Sequence, residues 1–208
     1  TKEIKNSRKK LIINLEGEDH ARIRKIISPV FSPKTAELLR PDMQDAINQV
    51  LNDVIESGQC DLQKDVFNKY PSYIISKIVG VPNSDWEKFS QWADDTFKTF
   101  GGNFEHHSEV ILNTQNELDE YTNNLIISKK QNKGNDLVSM LIDAESDGQK
   151  LLDSEIQSLI QAVLMAGMDT TRAQLGLIAI MLSERPDLIS MLANDVSVED
   201  IIEECTRL

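Results

Sequence analysis

Apolar residues recur at helical spacing along almost the whole chain. From Pro33 to about Glu56, for example, leucines, isoleucines and valines stand three or four positions apart, which places them on one face of a helix. The pattern predicts a mainly α-helical protein with little sheet. The predicted helices cover residues 18–29, 33–56, 66–79, 84–100, 104–130, 136–146, 154–184, 186–193 and 197–208.

The longest predicted helix runs from Ser154 to about Glu184. Ser154 and Gln157 have the spacing of a capping box, in which each end of the first turn satisfies a free N–H group of the other. Residues 160–182 are apolar nearly all round, which is typical of a helix through the centre of a domain. At roughly 1.5 Å of rise per residue, this helix would be about 45 Å long.

The middle of this helix contains residues that a simple core helix would not need, in the run Ala166-Gly167-Met168-Asp169-Thr170-Thr171. Glycine costs about 1 kcal/mol against alanine in a helix interior, and Asp and Thr compete for backbone hydrogen bonds. Gly167 would let another object approach the backbone, and Ala166 and Thr170 share a face. Two interpretations stay open. A flat ligand lies on a small-residue patch beside a hydroxyl and a carboxylate, or two helices cross closely or kink there.

Composition limits the classes of function. The chain has 208 residues, which fits one domain (1–208), and 34 acidic against 22 basic residues give a net charge of −12. That sign argues against a nucleic-acid surface, which needs clustered Lys and Arg. No apolar run reaches the roughly 18 residues of a membrane span. The polar start shows no signal peptide, so we expect a cytoplasmic protein that does not cross a membrane.

Cysteine and histidine usage narrows the chemistry further. Cys60 and Cys205 are far apart without a CxxC pattern, which indicates free thiols in a reducing compartment. His106 and His107 are adjacent and point in different directions on a helix, so they are a poor pair of ligands for one ion. We therefore expect no metal site built from protein side chains in this chain.

The central run is similar to the oxygen-binding signature of cytochromes P-450, [A/G]-G-x-[D/E]-T-[T/S], in the middle of that family's long central helix. The resemblance implies that Ala166 and Gly167 face haem and leave room for dioxygen. It also implies that Thr170 hydrogen-bonds the dioxygen and that Asp169 helps to relay protons from solvent. Splitting the O–O bond requires two protons in an otherwise dry pocket, and a hydroxyl backed by an acid can supply them.

Two weaker motifs stand in the family's order on either side. His20 and Arg24 resemble the H-x-x-x-R pair that binds a haem propionate, and their spacing puts both on one helix face. Glu204 and Arg207 resemble E-x-x-R, a buried structural ion pair behind the haem. Each motif alone also fits an ordinary charged helix surface, and their order gives them weight.

One part of the family's pattern is missing. The family's haem ligand is a cysteine thiolate in a glycine-rich loop well after E-x-x-R, and neither Cys60 nor Cys205 has that context. We therefore expect a partial cytochrome P-450 domain that lacks the N-terminal sheet region and the C-terminal haem-thiolate loop. By itself, such a chain would be inactive.

For the intact protein, the resemblance implies a monooxygenase with haem b. It would insert one atom of dioxygen into a small apolar substrate, with electrons from NAD(P)H through a ferredoxin- or flavodoxin-type redox partner. Two alternatives stay open. One is a variant of the same fold that uses peroxide or rearranges its substrate, which Asp169 and Thr170 disfavour. The other is a haem-free helical module that binds a partner protein, or an inactive truncated homologue.

Overall fold

The computed structural model describes residues 12–98, 106–192 and 197–207, and most of them are helical. Short 3-10 turns lie at Ile12–Asn14 and Asn83–Asp85, and a π-helical segment spans Leu62–Phe67. The mainly α prediction is confirmed. The helices are α1 (Gly17–Ile27), α2 (Pro33–Leu38), α3 (Arg40–Ile55), α4 (Lys69–Val79), α5 (Trp86–Phe97), α6 (Ser108–Gln131), α7 (Leu137–Asp143), α8 (Asp153–Glu184), α9 (Pro186–Leu192) and α10 (Val198–Arg207).

The single helix predicted over 33–56 is two helices, α2 and α3. The Ser32 hydroxyl accepts the Thr35 N–H at 3.3 Å and caps α2. The break falls at Leu39, and Pro41 occupies the first turn of α3. Proline lacks the N–H and its ring clashes with the carbonyl four residues back. A new helix therefore begins there, where proline is tolerated.

The central helix α8 begins at Asp153, one residue before the predicted start, and ends at Glu184 as predicted. The predicted Ser154–Gln157 capping box is wrong. The Glu155 carboxylate instead accepts the Leu152 N–H at 2.8 Å, because the earlier start puts Glu155 at the third helical position. Gln157 lies beyond the first turn, and its amide donates to the Asp119 carbonyl of α6 at 2.8 Å.

A small hairpin separates α7 from α8. Strands β1 (Glu145–Ser146) and β2 (Gln149–Lys150) pair antiparallel. The turn residues Asp147 and Gly148 have φ of 54° and 77°, as a tight two-residue hairpin requires. Lys25 of α1 donates to Asp147 at 2.5 Å and holds the hairpin against α1. The predicted helix over 136–146 is thus wrong for its last residues.

The core is built around the first half of α8, which contacts α4, α5, α6 and α7. Within the described ranges, every helix is either too short or too polar to span a bilayer. A polar seam joins α6 to α8, where the Gln161 amide donates to the Asp119 carboxylate at 2.6 Å. The large side chains that are fully buried include Phe89, Ile126, Leu137, Leu141, Ile156, Ile160 and Met168.

Candidate functional site

Ala166 and Thr170 are both exposed on one face of α8. The same face continues toward the end of the helix, at steps of three and four residues, with side chains that are also exposed. We call this face the apolar stripe. Its members are small or aliphatic apart from the one hydroxyl, and Leu177 and Ile180 are more than half exposed. The apolar stripe consists of Ala166, Thr170, Ala173, Leu177 and Ile180.

The Thr170 hydroxyl donates to the Ala166 carbonyl, four residues earlier, at 2.5 Å. A hydroxyl has one donor and two acceptor lone pairs. With its proton turned to the backbone, the exposed Thr170 oxygen still has room to accept a hydrogen bond from a neighbouring group. The hydroxyl can therefore take part in a chain of hydrogen bonds along the apolar stripe.

Asp169 lies next to the apolar stripe and is held by an arginine. Its side chain is about half exposed, at 48%, and its Oδ1 accepts a hydrogen bond from Arg172 Nη2 at 3.0 Å. The same Nη2 donates to Asp94 of α5 at 2.6 Å. The carboxylate therefore touches solvent while a guanidinium fixes its orientation.

Sequence reasoning missed Arg172. A signal was present, because an acid and a base three residues apart on a helix are neighbours. In a stretch as apolar as residues 160–182, such a pair stands out. Asp94 offered no comparable signal, because it belongs to a different helix whose packing the sequence does not reveal.

Gly167 points at the protein rather than at the apolar stripe. A Cβ atom built on it would overlap Ile75 of α4, with the Ile75 Cγ1 only 2.9 Å away. The missing side chain therefore makes room for α4, which corresponds to the close helix crossing left open by the sequence. That Gly167 faces haem and leaves room for dioxygen stays a prediction.

His20 and Arg24 lie one turn apart on α1, His20 partly buried and Arg24 exposed. In the part of the chain that the structure describes, neither forms an ion pair with a carboxylate. Arg22 turns the other way and pairs with Glu155 in the first turn of α8. Glu155 lies about 16 Å along the axis from Ala166, at roughly 1.5 Å per residue. The ion pair between α1 and α8 therefore lies away from the apolar stripe, and it does not include His20 or Arg24.

Glu204 and Arg207 form a bidentate ion pair, in which Arg207 Nε and Nη2 donate to the two Glu204 carboxylate oxygens at 2.8 and 2.6 Å. Both side chains are more than half exposed, because α10 turns Ile201 and Cys205 to the interior and this pair outward. Burial of the pair behind the haem of the intact protein stays a prediction. The hydrogen bond from Arg207 lowers the pKa of Glu204.

The two cysteines occupy different environments. Cys60 is exposed and Cys205 is buried within α10. Among the residues that the structure describes, no three His, Cys, Asp or Glu side chains are arranged to hold a metal ion.

The family model for cytochrome P450 matches residues 1–199, so the chain belongs to the cytochrome P450 family, whose cofactor is haem. The polyketide biosynthesis cytochrome P450 PksS of Bacillus subtilis (strain 168) is 30% identical over 158 residues, which are 76% of this chain and 38% of that relative. Cytochrome P450 CYP107DY1 of Priestia megaterium is 27% identical over 197 residues, which are 94% and 48% of the two chains.

A solved structure gives the same result for the fold. P450BioI, in complex with an acyl carrier protein ligated to hexadec-9Z-enoic acid, superposes with a TM-score of 0.87 over 97% of this chain and 52% of its own, at 24% identity. This likeness shows the fold alone. The chain spans about half the length of these relatives or less.

Proposed function

We propose that the protein containing this chain is a haem-dependent monooxygenase that inserts one atom of dioxygen into a small apolar substrate. The observation that carries the proposal is the apolar stripe of α8, on which the Thr170 hydroxyl lies one residue from the solvent-touching Asp169 carboxylate. An apolar surface with one hydroxyl and an adjacent acid suits a reaction that needs few protons in a dry pocket.

The described residues fit haem in two respects. The apolar stripe offers a small-residue surface, at Ala166, on which a flat macrocycle can lie against the helix. His20 and Arg24 offer an imidazole and a guanidinium without a carboxylate partner among the described residues, and a propionate is a matching partner for both. When bound, haem supplies the activation of dioxygen.

The roles of the chain's own residues follow from their positions. Asp169 takes a proton from water at its exposed carboxylate oxygen and passes it toward the Thr170 hydroxyl. Thr170 would receive it at its oxygen and release its own proton from the Ala166 carbonyl toward the ligand side of the apolar stripe, where haem would supply electrons to dioxygen. Ala166 keeps the surface small, Gly167 lets α4 approach α8 closely, and Glu204 and Arg207 form a structural ion pair on α10.

The partners are part of the same proposal. Electrons come from NAD(P)H through a ferredoxin- or flavodoxin-type protein in the cytoplasm, as the family resemblance implies. The 1–208 segment forms one part of the P-450 domain. The relative PksS belongs to polyketide biosynthesis, which supports a largely carbon-chain, apolar substrate.

A spectrum tests the cofactor. The full gene product is purified, reduced and exposed to carbon monoxide, and we expect the strongly red-shifted Soret band of a thiolate-ligated haem. A protein without any haem spectrum would overturn the proposal and favour the haem-free binding module.

A matched pair of variants tests the relay. Thr170→Ala should keep the haem spectrum and raise the hydrogen peroxide released per NAD(P)H by about tenfold, as expected for loss of a positioned proton donor. Thr171→Ala, the neighbouring hydroxyl away from the apolar stripe, should leave that ratio unchanged. Equal ratios in the two variants would remove Thr170 from the mechanism.

A further inference from the structure

Arg172 is a buried cation in the middle of an apolar helix. The residue is 7% exposed, and its guanidinium donates to two carboxylates, those of Asp94 and Asp169. A buried guanidinium is strongly unfavourable unless charged partners surround it. A helix that only had to pack could use leucine at this position, so the pair of acids needs an explanation beyond packing.

The two carboxylates differ from the guanidinium in exposure. Asp94 and Asp169 are 50% and 48% exposed, whereas the Arg172 side chain is 9% exposed. Water can thus reach each carboxylate, while one oxygen of each accepts a hydrogen bond from the buried Arg172 guanidinium. An acid that takes protons from solvent and hands them on in one direction needs this combination of contact with water and fixed orientation.

A single nitrogen serves both acids. Arg172 Nη2 donates to Asp94 at 2.6 Å and to Asp169 at 3.0 Å. Nη2 carries two N–H groups, one for each acid, so the place of the guanidinium is fixed by both carboxylates together. Asp94 belongs to α5, which contacts α8 and has Trp92 and Ala93 buried. The position of α5 therefore determines how firmly Arg172 holds Asp169.

We propose that Arg172 is a positioning residue for Asp169, and that Asp94 sets the strength of this hold from the neighbouring helix. This inference rests on the proposed function, because it requires Asp169 to pass protons. Arg172 keeps the Asp169 carboxylate beside Thr170, and Asp94 holds the guanidinium in the position from which it reaches Asp169. A movement of α5 relative to α8 therefore shifts the guanidinium and, with it, the Asp169 carboxylate.

The test uses the haem-loaded full gene product and an apolar compound that shifts its Soret band. The variants are Arg172→Lys, Asp169→Asn and the double substitution, and the measurement is the hydrogen peroxide released per NAD(P)H oxidised. Lysine keeps the charge but concentrates its donors at one point, so it cannot reproduce the geometry of the guanidinium. The matched control is Arg185→Lys, because Arg185 is an exposed arginine that also pairs with an aspartate, Asp187.

We expect Arg172→Lys to raise the peroxide ratio by about threefold on its own and to add almost nothing in the Asp169→Asn background, since two residues that act as one unit are not additive. The compound concentration that gives half of the Soret shift should stay unchanged, as should both quantities in the control. An equal increase in both backgrounds, or no increase in either, would overturn the inference.

The outcomes separate the inference from the proposed function. If Asp169→Asn alone leaves the peroxide ratio unchanged, the relay itself is absent and both fail. If Asp169→Asn raises the ratio while Arg172→Lys acts independently of it, only the inference fails. Should Arg172→Lys not load haem, Asp94→Asn serves in its place, because Asp94 is half exposed. It should raise the ratio by about twofold with Asp169 present and leave it unaltered in the Asp169→Asn background.

Discussion

The two halves of the central helix α8 have similar apolar sequences and different surroundings. Every residue of α8 that is buried lies at or before Arg172, and Leu177 and Ile180 in the second half are more than half exposed. An apolar sequence thus indicates that a helix face will be buried, but it does not indicate which element or molecule buries it. The buried residues are Ile156, Leu159, Ile160, Gln161, Leu164, Met168 and Arg172.

The two halves of α8 therefore have different roles, one in stability and the other in the candidate site. The first half is enclosed by α4 to α7 and anchors the fold. The apolar stripe begins at Ala166, where the enclosure starts to open, and it carries the candidate site. A contiguous exposed apolar surface of this kind needs cover, from a ligand, a partner or another part of the protein.

The largest expected effect tests the anchoring role of the first half. Ile160 is fully buried, whereas Ile180 is 55% exposed, and both side chains belong to the same helix. Ile160→Ala should lower the free energy of unfolding by about 2 to 5 kcal/mol, because it removes buried methylene groups and leaves a cavity. Ile180→Ala is the matched control and should change it by less than about 0.5 kcal/mol. Denaturant unfolding followed by circular dichroism measures both.

Similar losses of unfolding free energy for the two variants would contradict the difference in burial between the two halves. They would mean that the second half of α8 is covered in solution by a surface outside the described residues, or by another molecule. Repeating the Ile180→Ala measurement at several protein concentrations distinguishes these cases, since cover by a second copy makes stability depend on concentration.

The second, smaller effect is the pH dependence of stability, compared between a buried aspartate and an exposed one. Burial alone would raise the pKa of Asp95, but hydrogen bonds from Lys98 and Gln91 outweigh it, so the pKa is lowered from its usual value. A hydrogen bond from Arg185 likewise lowers the pKa of Asp187, which is exposed. Asp95→Asn should cost about 1 to 2 kcal/mol at neutral pH, and Asp187→Asn should have no measurable effect.

The sign of the pH dependence follows from linkage. Because the folded pKa of Asp95 is below the unfolded value of about 3.9, its contribution is fully present above that value and is lost as the pH falls through the folded pKa. The difference in stability between wild type and Asp95→Asn should therefore shrink below about pH 4. A difference that persists at pH 2 would show that packing, not charge, determines the effect.

Most of the fold follows from periodicity, and the errors arise where a local signal competes with it. Pro41 divides a continuous apolar pattern into α2 and α3. At the hairpin, the turn at Asp147 and Gly148 places the preceding residues Glu145 and Ser146 in a strand, not in the predicted helix. Periodicity averages over several residues, so it cannot resolve a break that one or two residues cause.

The candidate site was predictable in part. The motif placed Ala166 and Thr170 on one face, and both are exposed there. The orientation of Gly167 was not predictable, because a missing side chain has no direction until the neighbouring helix is known. The Asp94–Arg172 contact joins residues far apart in the sequence, and its formation depends on how α5 packs against α8.

The smallest effect concerns the boundary between the two halves. Gly167→Ala gains about 1 kcal/mol of helix propensity but must displace Ile75, whose Cγ1 lies 2.9 Å from the new Cβ. Overpacking of this kind costs about 1 to 3 kcal/mol, so we expect a net destabilisation of about 1 kcal/mol. Gly176→Ala is the matched control, because its Cβ meets only the end of the Gln63 side chain at 3.3 Å, and it should be stabilising.

The Ile75→Ala background shows which neighbour determines the sign. With Ile75 shortened, the overlap disappears and only the propensity gain remains, so Gly167→Ala should become stabilising by up to about 1 kcal/mol. Thermal unfolding of the four proteins measures the reversal. If Gly167→Ala is stabilising already with Ile75 in place, α4 is not what requires glycine here. A ligand on the open half would then be the better reason for Gly167.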